Sequence, residues 1–139
     1  MWLNVLDTLT HSATISADTF ETFVRDFPEE TQQVLGRINM LFINEDEYEN
    51  LVYGGAINNQ IPTILKKGKK GAVYFDPDTI IEVPALSVNA VDTTGAGDVL
   101  AGAFLALRSQ NIPIDESLKT AVHLASRSVT KFGVDHLNE

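Results

Sequence analysis

Short apolar runs alternate with amphipathic stretches along this chain, the pattern of strands followed by helices. Trp2 to Leu6 is an apolar run ending at Asp7 and predicts a buried strand; Thr8 to Ser16 is polar and turn-rich and predicts a loop. Ala17 to Asp26 predicts a short helix, capped by Ser16, with Phe20, Phe23 and Val24 on one face. Pro28 suits the first turn of a second helix running to about Arg37, with Val34, Leu35 and Ile38 inward. Met40–Ile43 predicts a strand. The next helix begins at Asn44-Glu45-Asp46-Glu47 and turns Tyr48, Leu51 and Val52 inward. Residues 54–60 form a turn region, and Ile61–Leu65 is a strand running into Lys66-Lys67-Gly68-Lys69-Lys70-Gly71. Ala72–Phe75 and Thr79–Val83 flank Asp76-Pro77-Asp78, a hairpin signal.

Pro84–Ala90 leads into Asn89-Ala90-Val91-Asp92-Thr93-Thr94-Gly95-Ala96-Gly97-Asp98, which reads as a strand end, a glycine turn and a helix start. The helix continues through Leu107, with Val99, Leu100, Ala103, Phe104 and Leu107 at the i, i+3, i+4 spacing of a buried face. Asn111-Ile112-Pro113 breaks it. Asp115 is placed to cap a last helix, Glu116 to Thr130, whose apolar side is Leu118, Ala121, Val122, Ala125 and Val129. Gly133 closes it, and Lys131–Glu139 is a short polar tail.

The glycine turn carries the clearest chemistry. Gly95 and Gly97 let the backbone bend with its N–H groups exposed, at the positive end of a helix where an anion is favoured. Asp98 lies in the same first turn. Such a turn can hold developing negative charge while the carboxylate accepts a proton from an attacking hydroxyl, an arrangement suited to phosphoryl transfer. Taken alone, Gly-x-Gly-Asp also reads as a plain helix start, with Thr94 or Thr93 as cap and Asp98 complementing the dipole. It is not a dinucleotide fingerprint, because Leu100 stands where the third glycine belongs. Nor is it a P-loop, because Ala103 and Phe104 follow Gly102 instead of Lys and Ser/Thr. Asn44 and Glu47 have the spacing of a capping box.

Composition narrows the classes. The 139 residues fit one domain and include no cysteine, which excludes a disulfide framework, a zinc-thiolate site and a thiol nucleophile. The net charge of −9 argues against nucleic acid or an anionic membrane as partner. Lys66, Lys67, Lys69 and Lys70 are nonetheless four of the ten Lys and Arg residues; they mark either an anion contact or a solvated strand end. No basic leader precedes an apolar run at the N-terminus, and no stretch reaches the ~18 apolar residues of a membrane span. A soluble, cytoplasmic protein is the expectation.

The string Asp92-Thr93-Thr94-Gly95-Ala96-Gly97-Asp98 resembles the C-terminal signature of the ribokinase-like (pfkB) carbohydrate and nucleoside kinases, at every fixed position of Asp-Thr-x-Gly-Ala-Gly-Asp. The resemblance implies a three-layer α/β sandwich with a largely parallel sheet, truncated at the N-terminal side, as a single domain over 1–139. It implies ATP-dependent phosphotransfer to a sugar or nucleoside hydroxyl, with Asp98 as general base and the N–H groups of Gly95, Ala96 and Gly97 as anion hole. Asn44-x-x-Glu47 looks like the family motif that organises Mg²⁺ through water, which fits an ion that keeps most of its waters. Lys66 takes the position of a phosphate-contacting threonine in some members, and Gly68 with Thr94 faces the nucleotide. Backbone carbonyls near Asp92, Thr94 and Gly133 would hold a monovalent cation, potassium being the one expected. The family's adenine-side Asn or His position falls on Val122, one residue before His123. Family members also carry a further helix around residues 54–60, for which this chain has little room. Their N-terminal part supplies the sugar-binding residues and a small β lid, neither of which is found here. The expected partners are a small-molecule substrate and either a homo-oligomer or a missing N-terminal half. The alternative is a non-catalytic nucleotide-binding or scaffold fragment.

Overall fold

The computed structural model describes residues 14–18, 21–53 and 60–131, without the side chains of Glu21, Phe23 and Val24. The expected strand at Trp2–Leu6, Phe20, residues 54–59 and Gly133 lie outside the described residues. The fold is α/β. Among the described residues the strands are β1 (Ser16–Asp18), β2 (Met40–Asn44), β3 (Thr63–Lys66), β4 (Ala72–Phe75) and β5 (Ile80–Val83), in the sheet order β1-β2-β3-β4-β5. The helices are α1 (Glu21–Asp26), α2 (Pro28–Leu35), α3 (Glu45–Tyr53), α4 (Ala96–Ser109) and α5 (Ile114–Ser128). Helices α1 and α2 join β1 to β2, and α3 joins β2 to β3, the crossovers of a parallel sheet, and β1 pairs with β2 in parallel. Among the described residues no helix is long and apolar enough to cross a membrane. Two compact units divide the chain, one holding residues 1–65 and 74–80, the other 66–73 and 81–139.

In the first unit Leu41 and Ile43 of β2 form a buried cluster with Leu35, Ile38 and Leu51. Phe42, between them, is also buried, as a strand covered on both faces requires. Tyr48 of α3 meets Phe75 edge to face, ring centres 5.8 Å apart. The hairpin reading is borne out. The N–H of Asp76 donates to the Thr79 carbonyl at 3.0 Å, and the Asp78 N–H donates to Asp76 Oδ1 at 2.9 Å. The Tyr74 hydroxyl donates to Asp76 Oδ2 at 2.7 Å. That bond, with the Asp78 N–H, holds the Asp76 carboxyl below its ordinary range.

Four expectations are corrected. Ser16 and Ala17 are not loop and helix start; they pair in register with Met40 and Leu41, because Ala17 packs against the buried cluster. α2 stops at Leu35, where the Gly36 N–H closes onto the Gln32 carbonyl. Val52 is 47% exposed, since the buried side of α3 is taken by Glu47 and Leu51. Asp115 does not cap the last helix. α5 starts earlier, with Pro113 at the cap and the Ser117 N–H on the Pro113 carbonyl at 2.9 Å.

In the second unit α4 and α5 pack together, burying Leu100 and Phe104 with Leu118, Ala121, Val122 and Ala125. Asn111, at φ 61°, turns the chain between them in the left-handed region that asparagine tolerates. Gly71 is required where it stands. Its φ is +105°, and a Cβ there would sit 2.0 Å from the Val83 carbonyl oxygen and 2.7 Å from the Ala85 nitrogen. Gly71→Ala is expected to cost roughly 2–4 kcal/mol. A lowered urea midpoint at unchanged slope would show it, and an unchanged midpoint would contradict the close approach.

Candidate active site: the glycine turn

The turn before α4 is built from local hydrogen bonds in the second unit. The N–H groups of Val91 and Asp92 both donate to the Val129 carbonyl at the end of α5, at 2.7 and 3.2 Å. Asp92 Oδ1 then accepts from the Thr94 N–H at 2.9 Å, an Asx turn that starts the bend. Gly95 follows with φ 77°, in the left-handed region, and occupies the cap position of α4 without a side-chain cap. Neither Thr93 nor Thr94 caps the helix through its side chain, a correction to the plain reading. Thr94 gives its N–H to Asp92, and the chain reverses at Gly95, which has no side chain to offer.

The first helical bond is the Val99 N–H to the Gly95 carbonyl at 2.9 Å. Ala96 spends its N–H on the Thr93 carbonyl at 3.3 Å, a long bond. The N–H groups of Gly95, Gly97 and Asp98 have no hydrogen-bond acceptor among the described residues. They are the orphan donors of a fourteen-residue helix, lying at its positive end. Asp98 is exposed in the same turn.

Lys66 completes this geometry. It is the last residue of β3, and its half-buried side chain runs beside the turn. Its Nζ and Cδ lie 3.5 Å from the point a Cβ of Gly97 would occupy. The ammonium thus stands beside Gly97, which leaves room for it. Gly68, at φ 54°, opens the short 3-10 turn Gly68–Lys70, while Lys67 pairs with Glu82 at 3.1 Å.

Asn44 and Glu47 sit in the first unit and form a reciprocal capping box. The Asn44 N–H donates to Glu47 Oε2 at 2.9 Å, and the Glu47 N–H donates to Asn44 Oδ1 at 2.8 Å. Glu47 is buried, so its carboxylate is held in one orientation. Among the described residues no group of three His, Cys, Asp or Glu side chains could enclose a metal. A single anchored carboxylate with an amide fits Mg²⁺ held through its own waters. Gly133 lies outside the described residues, so the cation position expected there has no geometry beside Asp92 and Thr94. Val122, the expected adenine-side position, is 2% exposed. Two contacts in the second unit leave no mark in the residue pattern. One is the Val129 carbonyl under the turn; the other is Ser126 Oγ, which accepts the Leu86 N–H at 3.1 Å. A backbone acceptor and a serine within an apolar helix face carry no pattern to read.

Residues 2–139 match the profile of the pfkB family carbohydrate kinases. The chain belongs to the pfkB family. It is 39% identical over 70 residues to the ribokinase of Lactococcus lactis, a match covering 50% of this chain and 23% of that enzyme. Its fold superposes on the nucleoside kinase of Methanocaldococcus jannaschii with a TM-score of 0.85 at 23% identity, covering 94% of this chain and 46% of that one. A candidate ribokinase II of E. coli, solved in complex with ATP and Mg²⁺, gives 0.77 at 23% identity, with 94% and 46% covered. The pfkB chain described here spans less than half the length of these solved relatives.

The left-handed Gly95 predicts an asymmetric response to substitution. No atom lies within 4 Å of a Cβ built there, so only the backbone resists. Gly95→Ala should cost about 1–2 kcal/mol and Gly95→Asn less, because asparagine visits this region more readily. Thermal melting of both variants checks it, and equal losses would contradict the assignment of the cost to φ.

Proposed function

We propose that this chain carries the nucleotide-binding and proton-accepting part of an ATP-dependent kinase acting on a hydroxyl of a sugar or nucleoside. The observation that carries the reading is the turn itself: three N–H donors without an acceptor among the described residues, the Lys66 ammonium against Gly97, and the Asp98 carboxylate in the same turn. The N–H groups of Gly95 and Gly97, joined by Ala96 once its long bond to Thr93 yields, hold the equatorial oxygens of the γ-phosphoryl group as charge shifts onto them. Lys66 adds a point charge to the same oxygens. Asp98 takes the proton of the substrate hydroxyl as its oxygen bonds to phosphorus and the bond to the ADP oxygen breaks. Gly68 and Thr94 border the nucleotide. Asn44 and Glu47 would hold Mg²⁺ through its waters, and the ion would supply positive charge to offset that of the phosphates. Backbone carbonyls near Asp92, Thr94 and Gly133 would hold a monovalent cation, potassium, in this reading. The substrate is a small molecule met in the cytoplasm, where ATP is available. In this reading the hydroxyl-binding residues come from an N-terminal half of the fold or from a second copy.

A second reading, a nucleotide-binding or scaffold domain without transfer of its own, is favoured by one observation. The chain spans 46% of the nucleoside kinase it superposes on. Transfer of labelled phosphate from ATP to a panel of pentoses, hexoses and nucleosides separates the two.

Two variants test the roles. Asp98→Asn is expected to lower turnover by about a hundredfold or more with the Kd for Mg·ATP unchanged, because it removes the proton acceptor and leaves the N–H donors. Lys66→Met is expected to weaken Mg·ATP binding by roughly tenfold to a hundredfold, the worth of a charge-assisted contact. Near-normal turnover in Asp98→Asn would overturn the base assignment, and unchanged affinity in Lys66→Met would remove the lysine from the site.

A further inference from the structure

The outward side of α5 carries a groove that the phosphate chemistry does not use. Thr120, His123, Leu124 and Arg127 recur there at i, i+3, i+4 and i+7, so they share one helix face. Leu86, from the segment after β5, forms the facing wall and is tied to the helix by the bond from its N–H to Ser126 Oγ. The groove encloses about 320 Å³. That lies at the small end of ligand sites, which combine apolar walls with a few convergent polar groups. The buried side of α5 faces elsewhere: Val122 and Ala125 belong to the packed core.

The lining has a definite chemistry. Leu86 and Leu124 are 37% and 44% exposed, a large share for leucines beside one another at a concave surface. The His123 ring and the Arg127 guanidinium are planar and stack on flat groups. Arg127 has no ion-pair partner among the described residues, in a protein of net charge −9. Its guanidinium presents a fork of donors that matches a carboxylate in two parallel bonds. Thr120 Oγ1 adds a further donor at the N-terminal end of the row.

We propose that this groove is a second binding site, for a small organic anion with a flat apolar body and one carboxylate. The two leucines and the His123 ring hold the body, and Arg127 holds the carboxylate. The site rests on different residues from the glycine turn, so it stands or falls independently of the kinase reading.

Benzoate is the probe, titrated into the full chain and followed by ¹H–¹³C NMR of the leucine methyls and the His123 ring. Saturable shifts at Leu86, Leu124 and His123, with a Kd on the order of 1 mM as befits so small a ligand, are expected. Arg127→Gln, at an exposed helix position, should keep the fold and weaken binding at least tenfold, and benzyl alcohol should bind correspondingly worse. No saturable shift in the folded chain overturns the proposal. Binding of benzoate and benzyl alcohol with equal affinity, or binding unaffected by Arg127→Gln, overturns it as well, since the groove would then not recognise an anion.

Discussion

The N–H groups at the start of α4 can face outward only because the chain enters the helix through a left-handed residue. With φ at 77°, Gly95 reverses the backbone so sharply that no side chain crosses the helix start. A serine or threonine cap would spend one of the orphan donors internally. Here those of Gly95, Gly97 and Asp98 meet no acceptor among the described residues, and the Lys66 ammonium stands beside Gly97. The geometry on either side maintains this bend. The Val129 carbonyl takes two consecutive N–H groups ahead of the turn, and Leu100 and Phe104 bury the helix behind it. The packing of α4 against α5 therefore does more than fill a core. It fixes the carbonyl on which the turn hangs, so the buried face of α5 is a support for the chemistry as well as for the fold.

Most of the site could be read from residue types because it is made by local rules. A glycine pair before an apolar helix, an Asn and Glu three residues apart, and an Asp-Pro-Asp between apolar runs each impose their geometry on the residues next to them. The structure has all three in place: the turn at Gly95, the reciprocal bonds of Asn44 and Glu47, and the bend at Asp76. The misreadings arose where a distant strand or a competing neighbour decides. Ser16-Ala17-Asp18 has no strand propensity to speak of and becomes β1 because β2 offers it an edge. Thr93 and Thr94 are good caps by type, yet the Asx turn at Asp92 takes the chain past them. Asp115 is a good cap too, but the rigid Pro113 takes the cap position two residues before it. The lysine cluster divided in a way no spacing foretells: Lys66 lies beside Gly97, while Lys67 turns to Glu82.

Membership of the pfkB family and the local geometry bear on different parts of the account. The family match and the superpositions establish descent and fold. What the turn does rests on its own donors, its lysine and its carboxylate. A binding measurement on this chain addresses that without requiring a substrate hydroxyl.

The most direct test is isothermal titration of the purified chain with Mg·ATP, beside a Gly97→Val variant. Gly97 stands half-buried with Lys66 at 3.5 Å, so a valine there would fill the space between ammonium and N–H groups. Saturable binding that Gly97→Val abolishes, in a variant whose circular dichroism matches the parent, is the predicted result. No heat from the folded parent, or binding that survives the valine, would contradict the placing of the nucleotide phosphates at the glycine turn.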